Sequence, residues 1–496
     1  MKTKALLLMA LLFLTVTLSP LKVSHGETSW SKPATVDSTD NAGMECSLAM
    51  DSAGNPHISY WIYPNMDLKY IRISDGEWSI PATLDKDGIV GMYSSLALDS
   101  ADNPHITYYY YEQWAGSSIR GILKYIRMSD GEWDEPVTLD SGDVGLWSSL
   151  ALDSADNPHI SYWDHWKDDL KYIHMSGGYW SEPVTLDSTG NVGMWSSLAL
   201  DSADNPHISY YDDTNGDLKY IRMNDGEWLE PVTLDSTGNV GKWPSLALDS
   251  NDNPHISYYD EWNQDLKYIR MSDGVWSEPV TLDSTGNVGL ESSLALDSNG
   301  NPHVSYWDYT NEDLKYIRMS DGVWSEPVTL DSTGNVGRFS SLALDSADNA
   351  HISYYDYTKG DLKYLSSHPG YDVRINAWST LGEASLPITM DGVITGFNTS
   401  YLFEGLEGTH NFTLPETAND YPFTEWTKSG STIATTRTIT ITSGGTYNAQ
   451  YTISPTAPPE EPPIMVLIAV GIAIGVVVLS AGLLFYIKLK KRSGEP

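Results

Sequence analysis

Residues 226–274 read GEWLEPVTLDSTGNVGKWPSLALDSNDNPHISYYDEWNQDLKYIRMSDG, and this unit recurs seven times between Trp30 and Ser366. Its histidines mark the period: His57, His105, His159, His207, His255, His303 and His351, the last preceded by Ala350 instead of proline. They stand 48 residues apart, except for 54 between His105 and His159, where GSSIRG is inserted from Gly116. A period of this length holding four short β-patterned runs predicts the blades of a seven-bladed β-propeller. Around His207 the four runs are Ser197–Asp201, His207–Asp212, Leu218–Met223 and Trp228–Leu234.

The fourth run contains a proline in every copy: Pro33, Pro81, Pro136, Pro183, Pro231, Pro279 and Pro327. Proline cannot donate to a ladder, so this run belongs at the outer edge of its blade. The repeat starts on such a run and stops on a third run, Leu362–Leu365. The N-terminal strand Trp30–Val36 is therefore expected to complete the last blade and close the ring, which leaves no edge unpaired at the join.

Two recurrent features have a structural explanation. The first hairpin alternates between Gly54 or Gly300 and Asp102, Asp156, Asp204, Asp252 or Asp348 at one position. An exchange with glycine marks a turn former, because a metal ligand could not lose its oxygen. The seven histidines each open a different blade, so they form a wide circle and cannot converge on one ion.

The ends read differently. Lys2 and Lys4, the apolar run Ala5–Val16 and Ser24-His25-Gly26 predict a signal peptide over 1–26. The propeller is expected over 27–367 and an all-β sandwich domain over 368–453, where the period is lost and short strands alternate with Gly-rich turns. A Pro-rich spacer covers 454–463. Residues 464–487 are apolar apart from Ser480 and long enough for one transmembrane helix. Lys488, Lys490, Lys491 and Arg492 follow, which places the tail 488–496 in the cytosol and the propeller outside. Gly471 and Gly475 form a G-x-x-x-G spacing that allows a weak homodimer contact. Asn398 and Asn411 head glycosylation sequons.

Composition narrows the partners. The formal charge is −37, from 66 acidic and 29 basic residues, which argues against nucleic acid and anionic lipid surfaces. There are 18 Trp and 31 Tyr against 7 Phe, a bias that suits blade interfaces and carbohydrate contact alike. The single cysteine, Cys46, excludes an intramolecular disulfide.

One position in the repeat differs between copies: Glu45, Tyr93, Trp147, Trp195, Trp243, Glu291 and Phe339. It falls just before the innermost run. Glutamates inside an apolar blade interface would be costly to desolvate, so the position is expected at the water-exposed mouth of the central channel. Tyr93, Trp147, Trp195, Trp243, Phe339 and Glu291 are the candidate ligand-binding residues, with Trp163 and Trp114 from neighbouring loops. Packing against the next blade is the alternative. The departures at Trp114, Arg120 and His165-Trp166-Lys167 would put a single specific site near blades two and three. The recurring aromatics Trp61, Tyr109, Trp163, Tyr211, Tyr259, Trp307 and Tyr355 are read mainly as structural. Carboxylate pairs for glycosidase chemistry could come from Glu45, Glu112, Glu261, Glu291 and Asp213, with no partner assignable from spacing. No catalytic residue, metal ligand or cofactor is assigned.

The run ALDSxGNPHxSYxD…DLKY resembles propeller repeats of prokaryotic, notably archaeal, surface and secreted proteins, and covers nearly all of residues 30–366. The later segment LPITMDGVITGFNTSYLFEGLEGTHNFTLP resembles β-sandwich modules of archaeal surface proteins. The turn Ser272-Asp-Gly-Val-Trp276 is distantly similar to the Asp-box of sialidases, though shorter. Those enzymes would need three gathered arginines. Here Arg72, Arg127, Arg222, Arg270 and Arg318 share one repeated place, and only Arg120 and Arg338 stand apart in the propeller. The resemblance implies a fold and no activity. The expected function is that of a membrane-anchored cell-surface binding or adhesion protein, recognising an extracellular or envelope glycan or a protein partner. A polysaccharide-acting hydrolase or lyase, and a structural envelope protein without a specific ligand, are the alternatives.

Overall fold

The computed structural model describes residues 28–451, apart from 75, 113–119, 370, 380–381, 391–392, 400, 407–409, 419–420, 429–430 and 442–444. The signal peptide, Trp114, the Pro-rich spacer, the apolar segment 464–487 with Gly471 and Gly475, and the basic tail lie outside the described residues. Two compact units divide between Gly370 and Tyr371.

The first unit consists of seven antiparallel sheets, one per repeat. In the fourth, an inner strand Val192–Leu200 pairs with Pro206–Asp212, which pairs with Asp217–Asn224. The outer edge comes in two pieces, Glu227–Trp228 and Val232–Asp235, both on the third strand. Pro231 separates them, because the ladder cannot continue through a residue without an N–H. The inner strands contact one another in sequence, and the first also contacts the seventh, so the ring is closed.

Closure is made by both chain segments, as the proline pattern predicts. Trp30 lies opposite Ser367, Ala34 opposite Tyr364 and Thr35 opposite Lys363. The outer tryptophan of each blade meets a tyrosine of the preceding blade edge to face, with centroids 4.8–5.2 Å apart. Trp30 makes this contact with Tyr316, so the join uses the same packing as the other six interfaces.

Each of these tyrosines also holds the repeated histidine of its own blade, hydroxyl to Nδ1, at 2.5–2.7 Å. The other ring nitrogen faces the hairpin aspartate at 3.3–3.9 Å. The histidines are thus hydrogen-bonded parts of the blade frame. The variable hairpin aspartates do more than turn the chain. Asp102, Asp156, Asp204, Asp252 and Asp348 each accept from the backbone N–H and hydroxyl of a serine one blade earlier, as Ser52 does to Asp102 at 2.8 and 2.6 Å. Gly54 and Gly300 cannot, so two of the seven interfaces lack this clasp.

Burial holds six of these imidazoles below their ordinary value, His255 and His303 down to about 4. An unfolded histidine takes its proton near pH ~6.5. Between these values the unfolded chain binds more protons, so stability is full above the upper limit and falls as pH drops toward the lower. Each histidine then contributes a slope of at most about 1.4 kcal/mol per pH unit. Glu45 and Glu291, described below, work in the opposite sense but are two groups against six, and Asp67, Asp169, Asp217, Asp265 and Asp313, which burial also raises, start from an ordinary value below this window. The urea midpoint is expected to fall steeply between about pH 6.5 and about pH 4; a flat profile would contradict the buried, neutral state of these rings.

The second unit is a sandwich. One sheet carries Tyr371–Ser379, Tyr401–Leu406, Tyr421–Lys428 and Gly445–Tyr451, and the other carries Pro387–Met390, Val393–Asn398, His410–Thr413 and Thr438–Ile441. Ile375, Trp426 and Tyr451 of the first share a core with Ile388, Phe412 and Ile439 of the second. Asn398 and Asn411 are exposed.

Candidate functional site

The variable position lies inside the inner strand, not before it, which corrects the expected strand limits. In blade four the ladder runs Val192↔Asp212, Met194↔Tyr211 and Ser197↔Ser209, with two register shifts. The strand therefore starts five residues earlier than the alternation of Ser197–Asp201 indicated. Gly193 and Trp195 take up the bulges with positive φ, +98° and +51°.

All seven residues at this position share that backbone: Glu45, Tyr93, Trp147, Trp195, Trp243, Glu291 and Phe339 have φ between 47° and 53°. Left-handed conformation costs a non-glycine residue roughly 1–3 kcal/mol, and such outliers concentrate at functional sites. All seven border one cavity of about 230 Å³ on the ring axis. It lies toward the face that carries the turns between second and third strands, since Val192 opposite Asp212 marks that end.

Four of the aromatics form a continuous arc. Tyr93, Trp147, Trp195 and Trp243 follow one another with ring centroids 5.5, 5.0 and 4.9 Å apart, each tilted on the next. Beneath them a second layer is buried: Trp163 stacks on Trp147 at 5.2 Å, and Tyr211 and Tyr259 lie against Trp195 and Trp243. Trp163 is only 4 % exposed, so it supports Trp147 and offers no contact surface of its own. Its place in a recurring buried row explains this. The acidic residues that follow this row are structural as well; Asp212 accepts from the backbone and side chain of Asn215.

The two glutamates complete the circle, and their setting departs from the expectation of open water. Burial pushes the Glu45 carboxyl up to about 8, opposed by a hydrogen bond from the Tyr93 N–H at 2.7 Å. Burial also raises Glu291, opposed first by Arg338, which pairs with it at 3.4 Å, and by the Phe339 N–H at 2.6 Å. Bonding to the next blade's main chain is what makes a half-enclosed carboxyl tolerable here. Of the carboxylates weighed as pairs, Glu45 and Glu291 alone among the described side chains border this cavity; the Glu112 side chain lies outside those described. Glu261 pairs with Lys242 at 2.6 Å, and Asp213 accepts from Asn191.

A ring of small residues lies below, with Ser196 bonded to Ser161 at 2.9 Å as in most blades. Cys46 takes this place in blade one, its Sγ near the Phe339 carbonyl at 3.2 Å and Ser353 Oγ at 3.3 Å. Pro244 takes it in blade five and leaves Ser209 Oγ buried without a partner among the described residues.

Sequence reasoning gave Arg338 no role in the site, named Trp166 only as a local departure and passed over Trp262. Arg338 was visible only as a non-repeated arginine; it lies over the rings of Trp307 and Phe339 at 4.9 Å. Trp166 and Trp262 project from second-to-third turns, each 75 % exposed. Trp262 stands at a turn position that varies between copies, the signal that could have found it. The arc spans blades two to five and the charged side falls on blades six, seven and one, so the border of the cavity draws on every blade.

The class defined by these observations is an all-β protein of seven propeller blades around a central cavity. No protein-family model matches the chain, and no curated protein matches it. Solved structures similar to it include a protein of unknown function from Dyadobacter fermentans, 9 % identical with TM-score 0.45, covering 68 % of this chain and 98 % of that one. An ulvan lyase is 13 % identical with TM-score 0.47, over 68 % and 94 % of the two chains. The α-L-arabinanase of Penicillium chrysogenum is 12 % identical with TM-score 0.43, over 69 % and 98 %.

Proposed function

We propose that this chain is a membrane-anchored cell-surface protein that binds a saccharide at the mouth of its propeller channel. The observation that carries the reading is the strained ring: seven inner strands each deliver one left-handed residue to the border of one cavity, and five are aromatic. Glycine would meet the backbone requirement without strain, as it does two residues earlier at Gly193. Large aromatic side chains there serve a surface that stacks on apolar sugar faces. The anchor rests on the apolar segment 464–487 and its basic flank.

The test is glycan-array binding by the purified protein, with Trp195→Ala as the probe variant. Loss of a central Trp contact is expected to cost about 2 kcal/mol, ~30-fold in Kd. An array without a bound glycan would remove this reading in favour of a purely structural envelope role. A second reading follows from Glu45 and Glu291 sharing the cavity while Glu45 keeps a proton at neutral pH, the state of a general acid. Polysaccharide turnover abolished by Glu45→Gln would favour that hydrolase or lyase.

A further inference from the structure

Glu45 and Glu291 occupy the same repeat position, and both reach forward to the main chain of the next blade. Glu45 accepts from the Tyr93 N–H at 2.7 Å, and Glu291 from the Phe339 N–H at 2.6 Å. The two copies then differ in the side chain that precedes this N–H. Arg338 precedes Phe339; its guanidinium pairs with Glu291 at 3.4 Å and lies over the Phe339 ring at 4.9 Å. Met92 precedes Tyr93, so Glu45 has the backbone donor and the aromatic neighbour but no ion pair among the described residues.

We propose that the channel site takes a cationic group, an ammonium carried by the bound saccharide, which docks against Glu45 and the Tyr93–Trp147 pair as Arg338 docks against Glu291 and Phe339. This inference rests on the saccharide-binding reading and names its ligand class: amine-bearing sugars, as opposed to neutral or acidic ones. Three further observations agree. Tyr93, Trp147, Trp195 and Trp243 border the cavity together, and Trp is the strongest side-chain acceptor of a cation over its face. The net charge of −37 raises the local concentration of cations at a cleft of this kind. The cavity holds carboxyls on one side and aromatic rings on the other, so charge and stacking act on different parts of one ligand.

The arrangement links binding to a proton. The groups that act on Glu45 are the Tyr93 N–H and Arg338, which favour its charged form, and Glu291, which opposes it. The Cys46 thiol is pushed up to about 12 by burial and the Tyr93 phenol is raised as well, so both stay neutral over the working range. With its carboxyl raised to about 8, Glu45 is protonated below that pH and must release its proton to solvent to pair with a bound cation. Affinity for a permanently charged ammonium therefore rises with pH, by about tenfold between about pH 7 and about pH 9.

The experiment titrates the full-length protein with choline, followed by tryptophan fluorescence and calorimetry, beside its neutral isostere 3,3-dimethylbutanol. De-N-acetylated and N-acetylated glucosamine oligosaccharides are compared in parallel. The expected result is saturable choline binding that strengthens with pH, preference for the free-amine sugar, and loss of the pH dependence in Glu45→Gln. Met92→Arg, which supplies a tethered cation, should weaken choline binding more than tenfold while circular dichroism stays unchanged. Equal binding of choline and the isostere, or a flat pH profile, overturns the inference. Should neutral sugars bind in a Trp195-dependent way with no gain from an amine, the inference falls and the binding reading stands. Should neither sugars nor choline bind, both fall.

Discussion

Removing the strands Thr28–Trp30 and Ala34–Asp37 is expected to abolish cooperative folding of the propeller. The third strand of the last blade, Asp361–Pro369, would lose both pieces of its outer neighbour. Tyr316 would lose the Trp30 ring, 4.8 Å away, and the buried Tyr60 hydroxyl would lose the Asp37 carboxylate at 2.6 Å. Truncating a packed tryptophan costs about 3 kcal/mol, and stranding a buried hydroxyl about 1–3 more. Their sum approaches the ~5–15 kcal/mol that holds a whole domain together, before the lost ladder is counted. Trp30→Ala alone should lower stability by about 3 kcal/mol in urea melts. A truncated chain that melts as sharply as the full one would show that the ring closes without its N-terminal segment.

The second large effect is expected at the glycine two residues before the cavity ring. A Cβ on Gly241 would lie 2.6 Å from the Leu218 Cα of the preceding blade, at φ +91°. The obstacle is backbone, so no side-chain rotation relieves it. Strain at positive φ and overpacking each cost about 1–3 kcal/mol, so Gly241→Ala should destabilise by about 4 kcal/mol. Gly226→Ala is the control: φ is +80°, yet nothing lies within 4 Å of its Cβ. Only the conformational part, about 1–2 kcal/mol, applies there. Equal melting shifts for the two variants would mean that the inner strand and the neighbouring blade do not approach so closely. The same contact recurs at Gly43 against Leu362, across the join.

The blade count and the closing segment were legible because both depend on local chemistry repeated many times. A proline such as Pro231 is an edge signal wherever it falls, and seven copies average out the ambiguity of any single run. Trp195 was legible as a position that varies, but its bulged backbone was not. Nothing in the order Gly-Met-Trp says that two residues leave the ladder while the strand continues to Val192. The clasp between Ser52 and Asp102 was hidden for a similar reason: its partners are 50 residues apart and meet only when two blades dock. Trp163 looked like an accessible loop aromatic because burial beneath Trp147 is a property of the stacked layers.

Sequence alone thus determined the all-β repeat architecture, the position of the outer strand and the set of residues that can differ from blade to blade. Periodicity and proline act within one repeat, and one repeat contains that information. The tertiary structure alone decided that Glu45 and Glu291 share a cavity, that Arg338 forms its ion pair with Glu291, and that Trp163 lies beneath the surface. These are distances between blades, set when the ring closes and its inner strands converge on one axis.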